Sequence, residues 1–272
     1  MNRVMKVRLS GLVLLAVALS GAASAQGIGL SPAIINQKFK PGETFTTTIS
    51  VMNGGSQPAV LKTMTSDLWF NPEDNERTIL PPGTHPRSAS NWVEFVPGNV
   101  IVPANGTVQI KLVVTPRKDV EGGYYSILFF ETRPELTASQ GSQSVFTNFR
   151  IGALLLLTAQ GTEKYQVSIY EYELTPPDAT HKLHVQFVVD NQSNTHIYPR
   201  VQLVVLDSKK TLLGKTDGDM KRFMPGQKNV YSVDYPGELK NGSYTAVLTI
   251  IHEGGEVITR EIPFQVTGAE DK

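Results

Sequence analysis

The sequence predicts an all-β protein built as two tandem sandwiches. Short β-branched and aromatic runs are punctuated by Gly, Pro and Asn, and a 3.6-residue apolar period is nearly absent. The 272 residues suffice for two domains of about 100–130 residues each, with real cores. The two halves also share a rhythm: an extended segment, an Asn-rich turn, then Gly-x-Tyr opening a late apolar strand. Gly123-Tyr124-Tyr125 and Gly242-Ser243-Tyr244 are the matching pair. Together these point to two immunoglobulin-like sandwiches.

The elements follow in order. Arg3, Lys6 and Arg8, the apolar run Leu12–Leu19 and the small residues Ala23-Ser24-Ala25 form a secretory signal, residues 1–25, with cleavage expected after Ala25. The apolar run is too short to span a bilayer comfortably. No cysteine follows it, and the polar end Gly268–Lys272 carries no membrane anchor. A soluble exported protein of the bacterial periplasm is expected.

Residues 26–160 are assigned to the first domain. Its expected strands are Ile28–Ile35, Thr44–Met52, Ala59–Phe70, Trp92–Val96, Thr107–Val114, Gly123–Glu131 and Phe146–Thr158. Pro41-Gly42 and Asn105-Gly106 are turn dipeptides, and Asn53-Gly54-Gly55 closes the second strand. Pro81–Pro86 and Glu135–Ser144 read as exposed loops. In TVQIKLVVTP, Val108, Ile110, Leu112 and Val114 alternate with Thr107, Gln109 and Lys111, so one face is buried and one wet.

Ala159–Lys164 reads as a polar linker. Residues 161–268 form the second domain, with strands Tyr165–Leu174, Lys182–Asp190, Arg200–Asp207, Asn229–Tyr235, Ser243–His252 and Glu256–Val266. Asn241-Gly242 and Gly254-Gly255 read as hairpin turns.

Composition excludes several functions. Without the signal cations, 22 basic residues face 25 acidic ones, a net charge of about −3 that leaves no basic nucleic-acid footprint. Zero cysteines exclude disulfides, a thiol nucleophile and a thiolate zinc site. No nucleophile-elbow, zinc-protease, phosphate-loop or dinucleotide motif is present. No enzyme, cofactor or metal is expected.

His85, His181, His184, His196 and His252 read as surface or edge residues; His181 and His184 fall on opposite faces of a strand. The acidic spots Asp217-Gly218-Asp219 and Asn71–Asn75 lack the spaced ligands of a calcium loop and read as solvated turns. Asn105, Asn191 and Asn241 sit in glycosylation sequons that are more simply turns. Trp69, Phe70, Trp92, Phe95, Tyr124, Tyr125, Phe129 and Phe130 fit core packing better than a sugar-stacking platform.

The most informative stretch is Phe146–Leu157. Its odd row, Val145, Phe149, Ile151, Ala153, Leu155 and Leu157, is apolar apart from Thr147. Its even row begins polar with Asn148 and Arg150, passes through Gly152 and becomes Leu154 and Leu156. The C-terminal half is therefore apolar on both faces, and something must cover the second one. A neighbouring domain and a partner chain both fit.

Asn91–Val96, Pro103–Pro116 and Gly122–Pro134 resemble successive strands of the periplasmic pilus-assembly chaperones, and FRIGALLLL takes the place of that family's last strand in the first domain. The resemblance implies a non-enzymatic protein that adds this strand to secreted or pilus subunits, with an outer-membrane usher as a further partner. By position, the client-binding residues are Phe149, Ile151, Ala153 and Leu155, or the opposite row Arg150, Leu154 and Leu156. That family also holds its client's terminal carboxylate with two basic residues. Here Ala33 or Ile34 and Gly152 or Ala153 stand in their places, with Arg150, Lys38 and Lys40 as nearby cations. A second resemblance, to surface proteins that interact with WxL-domain partners, rests on Lys40–Asn53 and Asn241–Ile250 and implies peptidoglycan or partner-protein binding. Those proteins end in a transmembrane helix and basic tail, which this chain lacks.

Overall fold

The computed structural model describes residues 27–71, 75–132, 135–140, 143–178 and 180–267. The expected signal segment, residues 72–74 of the acidic stretch and the polar C-terminal residues lie outside them. The described chain is almost wholly β, as the sequence predicts, with one short 3₁₀ turn at Ser90–Trp92.

The first sandwich holds β1 (Ile28–Ser31), β2 (Ile34–Phe39), β3 (Phe45–Asn53), β4 (Ala59–Phe70), β5 (Arg77–Leu80), β6 (Val93–Val96), β7 (Asn99–Val102), β8 (Gly106–Val114) and β9 (Gly122–Thr132). It continues through β10 (Glu135–Gln140), β11 (Gln143–Thr147) and β12 (Arg150–Ala159). One sheet runs β1-β3-β8-β6 and the other β2-β12-β9-β4-β5, with β7 also on β4. Between them pack Ile49, Val51, Ile110, Leu112, Leu128, Phe130, Leu155 and Leu157, all fully buried. Each such side chain contributes roughly 1.5–3 kcal/mol by leaving water.

The second sandwich holds β13 (Val167–Thr175), β14 (Leu183–Asn191), β15 (Arg200–Asp207), β16 (Leu212–Asp217), β17 (Lys228–Tyr235), β18 (Gly242–Ile251) and β19 (Val257–Val266). Its sheets run β13-β14-β17 and β16-β15-β18-β19 around Phe187, Leu203, Val205, Tyr231 and Leu248. The shared rhythm of the halves has a physical basis in two buried asparagines. Asn53 ends β3, accepts from Gly55 N, and donates to Val102 O and Gln57 O. Asn191 ends β14, accepts from Ser193 N, and donates to Thr195 O and Phe223 O. Each side chain closes its own turn and ties it to a strand or loop opposite, satisfying backbone groups that would otherwise be buried unpaired.

Three expectations are corrected. The first strand is broken, because Pro32 has no N–H to give a ladder; β1 pairs with β3, whereas β2 crosses to the other sheet and pairs parallel with β12. Glu135–Ser144 is not a loop throughout: β10 and β11 pair antiparallel as a two-stranded sheet of their own. The long strand expected over Phe146–Thr158 is interrupted at Asn148–Phe149. Three short strands, β5, β7 and β16, carried too little alternation to be foreseen.

Candidate functional site

β12 lies between β9, antiparallel along its whole length, and β2, which pairs with it only from Leu154 to Ala159. Leu154 N donates to Ala33 O at 2.9 Å, the first bond on the β2 side. One residue's N–H and C=O point to the same side of a strand, and alternate residues point to opposite sides. On the β9 side, Phe149 O accepts from Thr132 N at 2.9 Å. Arg150 and Gly152 therefore turn their backbone groups to the β2 side, before β2 begins. No strand pairs there among the described residues; β1 belongs to the opposite sheet. This is a two-rung open edge.

The candidate residues separate cleanly on this strand. Phe149 is 53% exposed, and Ile151 is half-buried against the first core. Ala153 and Leu155, on the same row, are fully buried in that core. On the opposite row, Arg150 is exposed, and its guanidinium sits 3.1 Å from Glu131 and 5.3 Å from the centre of the Phe129 ring. The Asn148 side-chain amide also donates to Glu131; these contacts hold the Glu131 carboxyl below the usual carboxylate range. Leu154 packs half-buried beside Ile127 and Phe129. Leu156 is fully buried with Phe70, Tyr125 and Met224. As side-chain contacts for a client, Ala153, Leu155 and Leu156 are thus corrected: the first core encloses Ala153 and Leu155, and a cluster shared with the second sandwich encloses Leu156.

The second apolar face is covered by the second sandwich. Met224 and Tyr198 close over Phe70, Tyr125, Leu154 and Leu156. Polar contacts complete the seam. Gly123 N donates to Asn194 O at 2.9 Å, and the Thr158 and Thr195 hydroxyls lie 3.1 Å apart. Asn75 Nδ2 donates to Lys228 O at 2.9 Å. The Tyr125 hydroxyl accepts from His196 N at 2.9 Å, and burial pushes its pKa above the normal tyrosine range. His196 and His252 are buried, which overturns the surface reading of those two. Nothing in the local sequence of His196 marked it, since its burial is made by the other sandwich. Of the aromatics, Trp92, Phe95, Tyr124 and Phe130 fill the first core and Phe70 and Tyr125 the seam.

The three cations near the missing basic pair are all engaged. Arg150 pairs with Glu131 at 3.1 Å, Lys38 with Glu163 at 2.7 Å and Lys40 with Glu43 at 3.6 Å. Gly152 has a steric reason: a Cβ there would stand 2.9 Å from both Ile127 Cγ2 and the Phe129 ring. A cleft of about 520 Å³ opens between the sandwiches, lined by residues that include Ile34, Asn36, Tyr198, Arg200, His252 and Glu253. No cluster of three or more metal-ligating side chains occurs among the described residues, and no helix there is long and apolar enough to cross a membrane.

No family model matches the chain, and no curated protein matches it in sequence. Among solved structures, the class 5 fimbriae chaperone CfaA aligns with 88% of this chain and 100% of its own at 17% identity and a TM-score of 0.46. One chain of the chaperone–tip adhesin complex of CFA/I fimbriae aligns with 86% of this chain and 98% of its own at 16% identity and a TM-score of 0.45. One chain of the Salmonella enterica SafA pilin–SafB chaperone complex aligns with 90% and 99% at 11% identity and a TM-score of 0.42.

Proposed function

We propose that the chain is a periplasmic pilus-chaperone-like protein that holds an exported subunit by accepting one of its strands on the open edge of β12. The single observation that carries this reading is the incomplete pairing of β12: among the described residues no strand pairs with Arg150 and Gly152 on the β2 side, while Leu154 to Ala159 are paired on both sides. An added strand gains affinity from such main-chain bonds and register from alternate side chains.

The same geometry favours one row. Phe149 and Ile151 stand at the end of the sandwich where the first core runs out, so their side chains are the ones offered to a partner. Leu154 and Leu156 serve the junction with the second sandwich, whose role is to fix the platform. The resemblance read in the sequence supplies the partner class, secreted or pilus-type subunits.

Amide hydrogen exchange of the chain mixed with a purified pilus-type subunit tests this. Protection gained at Arg150 and Gly152, with binding weakened at least tenfold by Phe149→Glu, is the expected result. Binding that leaves those two amides unchanged overturns strand addition at this edge.

A further inference from the structure

The seam between the sandwiches contains one buried imidazole, and both of its ring nitrogens face groups of the other sandwich. His196 comes from the second sandwich but is enclosed by the first. Its Nε2 lies 3.2 Å from Asn36 Oδ1 on β2, its Nδ1 3.4 Å from the Tyr125 hydroxyl on β9, and its backbone N donates to that same hydroxyl. We infer that a neutral His196 clasps the two sandwiches together and that its protonation opens the seam, making the interdomain cleft acid-sensitive.

In the neutral ring, Nε2–H donates to Asn36 Oδ1 and Nδ1 is left as an acceptor facing the phenol. Both contacts cross the seam. Protonation would place a charge with no carboxylate bonded to the ring; Glu253, in the adjoining cleft, already accepts from Tyr198 N at 2.9 Å. On its own side His196 faces the Tyr198 ring and the Arg222 cation. From β9 it faces Tyr125, and Arg87, which bonds Gly123 O at 3.2 Å, adds a second cation near that phenol. From β2 it faces uncharged Asn36, and the neighbouring Thr195 meets Thr158 of β12. None of these facing groups is a carboxylate.

Burial, with Arg222 adding to it, lowers the imidazole's pKa from 6.5 to about 4. A depressed pKa in the closed form means that closure is at full strength above about pH 6.5 and is lost as the pH falls through 4. The closed seam then binds the proton roughly 300-fold more weakly than an open one. From pH 7.5 to pH 4 the opening equilibrium should rise roughly 150-fold. Opening would also release Asn36 and Tyr198 from the seam, and both line the cleft beside Ile34.

The test uses the purified chain at pH 7.5 to 4. The Gly123 amide reports the seam, because it bonds Asn194 O across it. Its opening constant, corrected for intrinsic exchange, should rise roughly 150-fold over this range, and should stay flat in His196→Gln. An NMR titration of the wild-type imidazoles needs no variant and should show His196 titrating only towards pH 4. Titration of His196 near 6.5, a Gly123 amide equally protected at pH 4, or the same acid opening in His196→Gln would each overturn the clasp. The last outcome would move the cause to another acid-sensitive group, such as half-buried His85.

Discussion

Leu154 and Ala33 share the hydrogen bond at which the β12 edge closes: Leu154 N donates to Ala33 O at 2.9 Å, and among the described residues no strand pairs with β12 before it on that side. Pro32 sets the position of this boundary, since β1 and β2 part around it. Native amide exchange should therefore step along one strand. Arg150 and Gly152 should exchange at rates near those of free peptide, while Leu154, Leu156 and Thr158, held by β2, should exchange several orders of magnitude more slowly. Uniform slow exchange from Arg150 to Thr158 would mean that another segment already fills the edge.

Leu156 and Met224 come from different sandwiches and share one buried cluster. Leu156→Ala should cost about 2–5 kcal/mol, as large-to-small core changes do. Because the cavity opens against Met224, a Leu156→Ala/Met224→Ala pair should fall short of additivity by about 0.5–3 kcal/mol. Urea unfolding of the two single variants and the double variant measures this. Additive losses would show that the two sandwiches unfold as if the seam did not exist.

Gly152 is held to glycine by its neighbours. Its backbone is ordinary strand, but Ile127 and the Phe129 ring occupy the space of a side chain. Gly152→Val should cost about 1–3 kcal/mol through overpacking. Phe129→Leu introduced with it should recover part of that loss, because the ring is the obstacle. A valine tolerated without loss would show that Phe129 and Ile127 move aside freely.

How much of this was readable beforehand depends on the range of the interactions. The alternation of Val108 to Val114 is local, and β8 lies where it places it. The two-faced greasiness of Leu154 and Leu156 was visible too, as was the need for a cover, but the choice between a domain and a partner was not. That choice rests on Met224 and Tyr198, remote in sequence and unremarkable in their own context. The parallel pairing of β2 with β12 was equally hidden, because it links residues more than a hundred positions apart. His196 was misread for the same reason: a lone histidine on a turn looks solvated until another sheet closes over it. The expected first strand, Ile28–Ile35, runs straight through Pro32, whose missing N–H is the physical reason that it breaks.

Asp67 anchors the segment that leads from β5 into β6. The buried carboxylate accepts from Gly83 N at 3.1 Å, His85 N at 2.8 Å and the hydroxyls of Ser88 and Ser90. Ser90 in turn meets Ser126 of β9 at 2.9 Å, so the segment is tied to both central strands of its sheet. Burial by itself would raise the pKa of this carboxyl, but the donated bonds outweigh it and hold the group below the usual carboxylate range. A carboxylate depressed in the folded state stabilises it at pH values above the unfolded pKa of about 3.9 and loses that effect as the pH falls further. Asp67→Asn replaces an acceptor oxygen with a donor among donors and should cost about 1.5–3 kcal/mol at pH 7. Near pH 3 the gap between wild type and variant should narrow, since the wild-type carboxylate is then losing its advantage. Urea unfolding at the two pH values measures both gaps, and an equal gap at each would show that the charge of Asp67 contributes nothing to holding the segment.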